Sequence, residues 1–197
     1  MQKFLLIEKK IQNFNKKINV SGDKSLSIRW VLLASQALGK SKAYNLLISE
    51  DVLAAIDSIK KLGIKVKIHK NYCEIFGNGI NGFRYKNNIK IDAKNSGTLG
   101  RLLLGLLVKS PKKIKLIGDK SLSKRDFSRV TIPLSEFGAR FYYKKKNKLP
   151  LSILGIQSVK GINYLEDKGS AQCKSSIMLA ALNASGITSI KAKKSRN

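Results

Sequence analysis

Three short polar stretches carry the side chains able to handle a charged substrate. Lys24, Ser25 and Arg29 stand in "SGDKSLSIR"; Asn95, Gly97, Thr98 and Arg101 in "NSGTLGR"; and Ser170, Ala171 and Gln172 in "GSAQCKSS". Ammonium and guanidinium groups neutralise phosphates and carboxylates, the guanidinium in bidentate fashion. The segment "GDKSLSKRDFSRV" adds Lys124, Arg125 and Arg129, which read equally as a charged loop. No Ser/His/Asp triad, Walker loop or pair of catalytic carboxylates is discernible. Glu50, Asp51, Asp57 and Glu136 read as ordinary residues of helix starts and solvent faces. Cys73, Cys173 and the lone His69 lack the spacing of a zinc site or a disulfide framework, so neither is expected. The chemistry left to these residues is anion binding.

The elements that must position them form a repeat. "GDKSLSIRWVLLASQALGKSKAYN" begins at Gly22, "NSGTLGRLLLGLLVKSPKKIKLIG" at Asn95 and "GSAQCKSSIMLAALNASGITSIKA" at Gly169, copies spaced 73 and 74 residues apart. Each copy opens on a small polar turn and runs into an apolar helix, a break at Gly39, Pro111 or Gly186, and a strand. A second half follows in the first two copies: the amphipathic helix of "EDVLAAIDSIKKLG" and its partner in "SRVTIPLSEFGA", each leading to paired strands that end in "YCEIFG" and "LPLSILG". The unit is therefore expected to be βαβαββ. The units run over about 22–94, 95–168 and 169–197, and the third stops about forty residues short of its period. Incompleteness relative to this architecture is the expectation. Each polar stretch sits at a helix N-terminus, where unsatisfied N–H groups and the helix dipole attract anions. Taken singly, Ser25, Thr98 and Ser170 could be simple caps, Lys24 a surface lysine and Arg29 a snorkelling one; their recurrence favours a shared anion pocket.

A hydrophobic content of 43% over 197 residues suffices for a buried core. No run is long and apolar enough for a membrane span, and the opening residues lack the apolar block of a signal peptide, so a reducing cytoplasm is expected. The formal charge of +27 invites acidic partners. Its lysines are spread along the whole chain, however, and only "YYKKKNK" forms a cluster, read as a solvated strand end or hairpin. Nucleic-acid binding is not favoured on this reading, because a dedicated binder gathers its charge on one face or interleaves it with aromatics.

The motifs "SGDKSLSIR", "NSGTLGRLLLGLL", "GDKSLSKRDFSRVTIPLSEFGA", "LPLSILG" and "GSAQCKSSIMLAAL", in this order, resemble the N-terminal half of the 3-phosphoshikimate 1-carboxyvinyltransferase, or EPSP synthase, family. The resemblance implies an α/β fold of repeated βαβαββ units, the inside-out α/β barrel of enolpyruvyl transferases, here with a truncated third unit. Residues 15–197 would form the N-terminal domain, while 1–14 would join a second domain lying beyond this chain. It implies transfer of the enolpyruvyl group of phosphoenolpyruvate to the 5-hydroxyl of shikimate 3-phosphate with release of phosphate, and no metal or organic cofactor. Shikimate 3-phosphate would be held by Lys24, Ser25, Arg29, Ser170, Ala171, Gln172, Ser195 and Arg196. Phosphoenolpyruvate would be held by Lys24, Gly97, Arg125 and Gln172, with Lys24 catalytic and Asn95, Thr98 and Arg101 supporting. The family's remaining acid/base groups belong to its second half, so the isolated chain is expected to be inactive. Asp126 departs from the proline common after the arginine, which puts that loop's geometry in question. Alternatives are a relative of the UDP-N-acetylglucosamine enolpyruvyl transferase, or a non-catalytic basic remnant that binds anions or RNA.

Overall fold

The structure is a computed structural model that describes residues 6, 8–10, 13 and 15–193. Along the chain it forms α1 (Lys24–Gln36), β1 (Leu38–Tyr44), α2 (Glu50–Lys61), β2 (Lys65–Ile68), β3 (Tyr72–Asn78), β4 (Ile89–Asp92), α3 (Gly97–Leu106) and β5 (Ile114–Ile117). A 3-10 turn at Leu122–Lys124 then leads to α4 (Ser128–Glu136), β6 (Arg140–Tyr143), β7 (Leu151–Leu154), β8 (Asn163–Glu166), α5 (Ala171–Ala181) and β9 (Ser189–Ala192).

Counted from β4, which precedes the unit boundary read at Asn95 as β8 precedes the one read at Gly169, the second unit has the expected βαβαββ order. Its sheet runs β4-β5-β7-β6, with β4 and β5 parallel and the other pairings antiparallel. The third unit supplies β8 and β9, also parallel, joined through α5. Parallel neighbours need a crossover of this length, which α3 and α5 provide. The first unit differs: none of the described residues before α1 forms a strand, so its sheet, β1-β3-β2, is wholly antiparallel, and among the described residues nothing pairs with the outer edge of β1. The two hairpins, β2–β3 and β6–β7, fall where the sequence places them, and "YYKKKNK" spans the end of β6 and its turn.

Apart from Thr98 and Arg101 at its N-terminal end, helix α3 is apolar, and Leu99, Leu102, Leu103 and Leu104 are fully buried, as an apolar helix surface must be. It packs against α1, α2, α4 and α5. Gly105 allows its close approach to α5, since a Cβ there would run into the backbone carbonyl of Ser176. Helices α1 and α5, by contrast, keep Leu33 and Met178 exposed. Gly63, at φ +87°, closes α2 in the left-handed conformation expected of its "LG" stop. Among the described residues, no helix is long and apolar enough to cross a membrane.

Candidate functional site

The N-terminal ends of α1, α3 and α5 converge. A cavity of about 530 Å³ is lined by Lys24 and Ser25 of α1, Gly97 and Thr98 of α3, and Gln172 of α5, together with Asn95, Arg125, Glu50 and Asp51. Each helix end carries the equivalent of about half a positive charge, and the bare N–H groups of three first turns lie close to this space. A doubly charged anion suits such a site better than a neutral ligand does.

Two of the three caps are not the residues that the sequence suggested, while the third, Ser170, is. Asp23, Ser96 and Ser170 are the N-caps, their side chains accepting from the N–H groups of Leu26, Leu99 and Cys173. Ser25 and Thr98 instead sit at the second helical position, as Gln172 does, so one turn of each helix offers its polar side chain to the cavity. Ser170 keeps its capping role, with its own N–H donated to the Glu166 carboxylate at 3.1 Å.

Below the cavity a polar relay fixes the side chains. Arg101 donates to Gln172 Oε1 at 2.7 Å, and Gln172 Nε2 donates to Thr98 Oγ1 at 3.1 Å. The guanidinium of Arg101 also reaches the Asp126 carbonyl at 3.4 Å and lies 5.3 Å from the Phe127 ring centre. Burial, then the charges of Arg125 and Arg129, lower the Arg101 pKa, but a guanidinium stays charged under any ordinary condition. Arg101 thus orients Gln172 from beneath. Arg125 donates to Asn95 Oδ1 at 3.3 Å, which holds its head at the rim. Asp126, the departure from the family pattern, accepts the N–H of Ser128 and starts α4. The loop therefore retains a local anchor, with Arg125 still at the cavity.

The structure also separates some of the residues grouped in the sequence. Arg29 lies one turn down α1, donating to the Ser25 carbonyl at 3.2 Å and to Ser175 Oγ at 3.5 Å, so it bridges α1 and α5 instead of lining the cavity. Ala171 is exposed at the start of α5 beside the cavity lining. Ser195 and Arg196 lie outside the described residues. Two acids read as ordinary belong to the site: Glu50 and Asp51 begin α2 at the same end as α1, and Asp51 pairs with Lys24 at 3.2 Å. Their position in a helix's first turn gave the same signal as any dipole-stabilising acid, and only the packing of α2 beside α1 aims them at the lysine. Gly97 leaves room for both guanidinium groups, since a Cβ there would come within 2.9 Å of Arg101 Nη1 and 3.0 Å of Arg125 Nη1.

Comparison with known proteins matches residues 8–196 to the family model for EPSP synthase (3-phosphoshikimate 1-carboxyvinyltransferase). The chain belongs to the EPSP synthase family. It is 39% identical over 186 residues to the 3-phosphoshikimate 1-carboxyvinyltransferase of Zymomonas mobilis, covering 94% of this chain and 41% of that protein. Against the protein of the same name from Bacillus cytotoxicus it is 39% identical over 180 residues, covering 91% of this chain and 42% of the relative. A solved EPSP synthase from Acinetobacter baumannii superposes with a TM-score of 0.86 at 35% identity, over 92% of this chain and 41% of that one. The fold is that of this family, and the chain spans about two fifths of the length of these relatives.

Proposed function

We propose that this chain is the anion-binding half of an EPSP synthase, seating shikimate 3-phosphate and phosphoenolpyruvate and working with a second domain supplied in cis or in trans. The observation that carries this reading is the meeting of three helix N-termini around Lys24, Arg125 and Gln172. Family membership supplies the identity of the anions.

In the implied reaction the methylene of phosphoenolpyruvate takes a proton while the 5-hydroxyl of shikimate 3-phosphate attacks the adjacent carbon. The tetrahedral adduct then expels phosphate. This chain's part is electrostatic and positional. Lys24, poised between its Asp51 partner and the cavity, neutralises the phosphate that gathers charge as the adduct collapses. Arg125, steadied by Asn95, holds the phosphoenolpyruvate end, and Gln172, steadied by Arg101, spans the two substrates. Ser25, Ser170 and Ala171 face the shikimate phosphate and ring, Gly97 leaves space for phosphoenolpyruvate, Thr98 braces Gln172, and Arg29 fixes the α1–α5 spacing beneath. A third helix-and-hairpin pair, in the position that α2 and α4 hold beside their neighbours, would cover the exposed sides of α1 and α5.

Titration calorimetry of the 197-residue chain with shikimate 3-phosphate tests this reading. Weak, saturable binding that Lys24→Ala reduces at least about fivefold is expected, the loss of one charge-assisted contact. No phosphate release from the two substrates is expected until a second EPSP synthase domain is added. Absence of binding, or steady turnover by the chain alone, would overturn it.

A further inference from the structure

Strand pairing brings four lysines that look dispersed in the sequence, Lys40, Lys42, Lys65 and Lys67, onto the outer face of the β1-β3-β2 sheet. The register sets Lys40 opposite Phe76, Lys42 opposite Glu74 and Tyr44 opposite Tyr72, while on the other side of β3 Lys65 faces Phe76 and Lys67 faces Glu74. Because side chains alternate across a strand, Cys73, Ile75 and Gly77 turn into the protein and are buried, leaving Tyr72, Glu74 and Phe76 on the opposite face. The contacts confirm the shared face: Lys42 Nζ lies 3.7 Å from the Tyr72 ring centre and 5.0 Å from that of Tyr44, and Lys65 and Lys67 approach Phe76 at 5.5 and 5.9 Å. His69 stacks on Tyr72 at 4.2 Å. One carboxylate, Glu74, stands among these groups, already paired with Lys40 and His69 at 3.5 Å each.

We infer that this face binds single-stranded nucleic acid. The combination it presents, cations tracking a backbone beside rings on which bases stack, is what sequence-tolerant single-strand sites use. Tyr44 is 68% exposed, which leaves its ring accessible to a base. The face lies on an outer sheet, and its residues share none of the lining of the helix-end cavity, so the two sites are independent.

Fluorescence anisotropy of a labelled 12-nucleotide oligo(U) against the full 197-residue chain tests the inference. Single-strand affinity should exceed that for a 12-base-pair duplex and should fall at least about fivefold in Tyr44→Ala, the low end for loss of one stacked base. The Lys42→Gln/Lys67→Gln variant should reduce the slope of log K against log salt by about 1.4, from about 0.7 per phosphate neutralised. Lys145→Gln/Lys146→Gln, which removes equal charge from the exposed β6–β7 turn, should leave the Tyr44 contribution intact. Circular dichroism melts check that each variant is folded. An equal loss from both lysine pairs with no effect of Tyr44→Ala means diffuse attraction and overturns the site. Tighter binding to duplex overturns it too, as does affinity for phosphatidylserine vesicles that the sheet variants abolish while oligo(U) binding stays unchanged.

Discussion

Gly97 shows how one missing carbon shapes the site. Two guanidinium groups approach to about the limit that a Cβ would tolerate, and both are the free ends of long side chains. Gly97→Ala should therefore leave the fold intact and push Arg125 and Arg101 off their places. The expected outcome is a melting temperature near that of the parent, with affinity for phosphoenolpyruvate in the presence of shikimate 3-phosphate reduced about fivefold or more by calorimetry, the scale of one hydrogen bond. Asp51 illustrates the limit of reading at this scale. Its carboxylate is Lys24's partner, yet nothing in "SEDVL" distinguishes it from a dipole-stabilising acid. Lys24, Arg125 and Gln172 were legible because their motifs recur and resemble a family; their shared cavity required three elements to meet.

At the level of the helix, the capping pattern makes a sharp distinction between neighbouring hydroxyls. Ser96 accepts the N–H of Leu99 at 3.3 Å and is buried, whereas Ser25 and Thr98 lie inside their helices. Ser96→Ala should cost about 1 kcal/mol in urea unfolding, and Ser25→Ala no more than about 0.5 kcal/mol. A reversed order would restore the capping assignment that the sequence suggested. The helices themselves were readable because their apolar residues recur at helical spacing and Gly63 and Gly138 stop them, both at positive φ. The leading strand that the repeat predicts for the first unit is missing among the described residues, where β1 pairs with β3 alone, since a strand exists only where a neighbour takes its hydrogen bonds.

Across the whole molecule, the α3–α4–α5 core imposes an alkaline limit. Burial, assisted by the Glu166 carboxylate, pushes the Cys173 thiol from 9.0 up to about 11, and burial beside Cys173 pushes the Tyr164 phenol from 10.0 up to about 12. Both groups are uncharged with their protons on, and the folded state holds those protons more tightly. Stability from this source is complete below pH 9 and is lost as the unfolded chain releases protons first, between about 9 and 12. Thermal melts should be flat from pH 7 to 9 and then decline, and Cys173→Ser should remove part of the decline. The sequence by itself determined the repeat, the helices and their polar N-terminal turns, because these follow from local periodicity and turn chemistry. Recurrence also pointed to a pocket shared by the three turns, which the cavity bears out, but only the tertiary structure decided which side chains line it, that Asp51 meets Lys24, and that dispersed lysines share a sheet face with tyrosines. Those facts depend on strand register and helix packing between residues far apart in the chain, which no local pattern encodes.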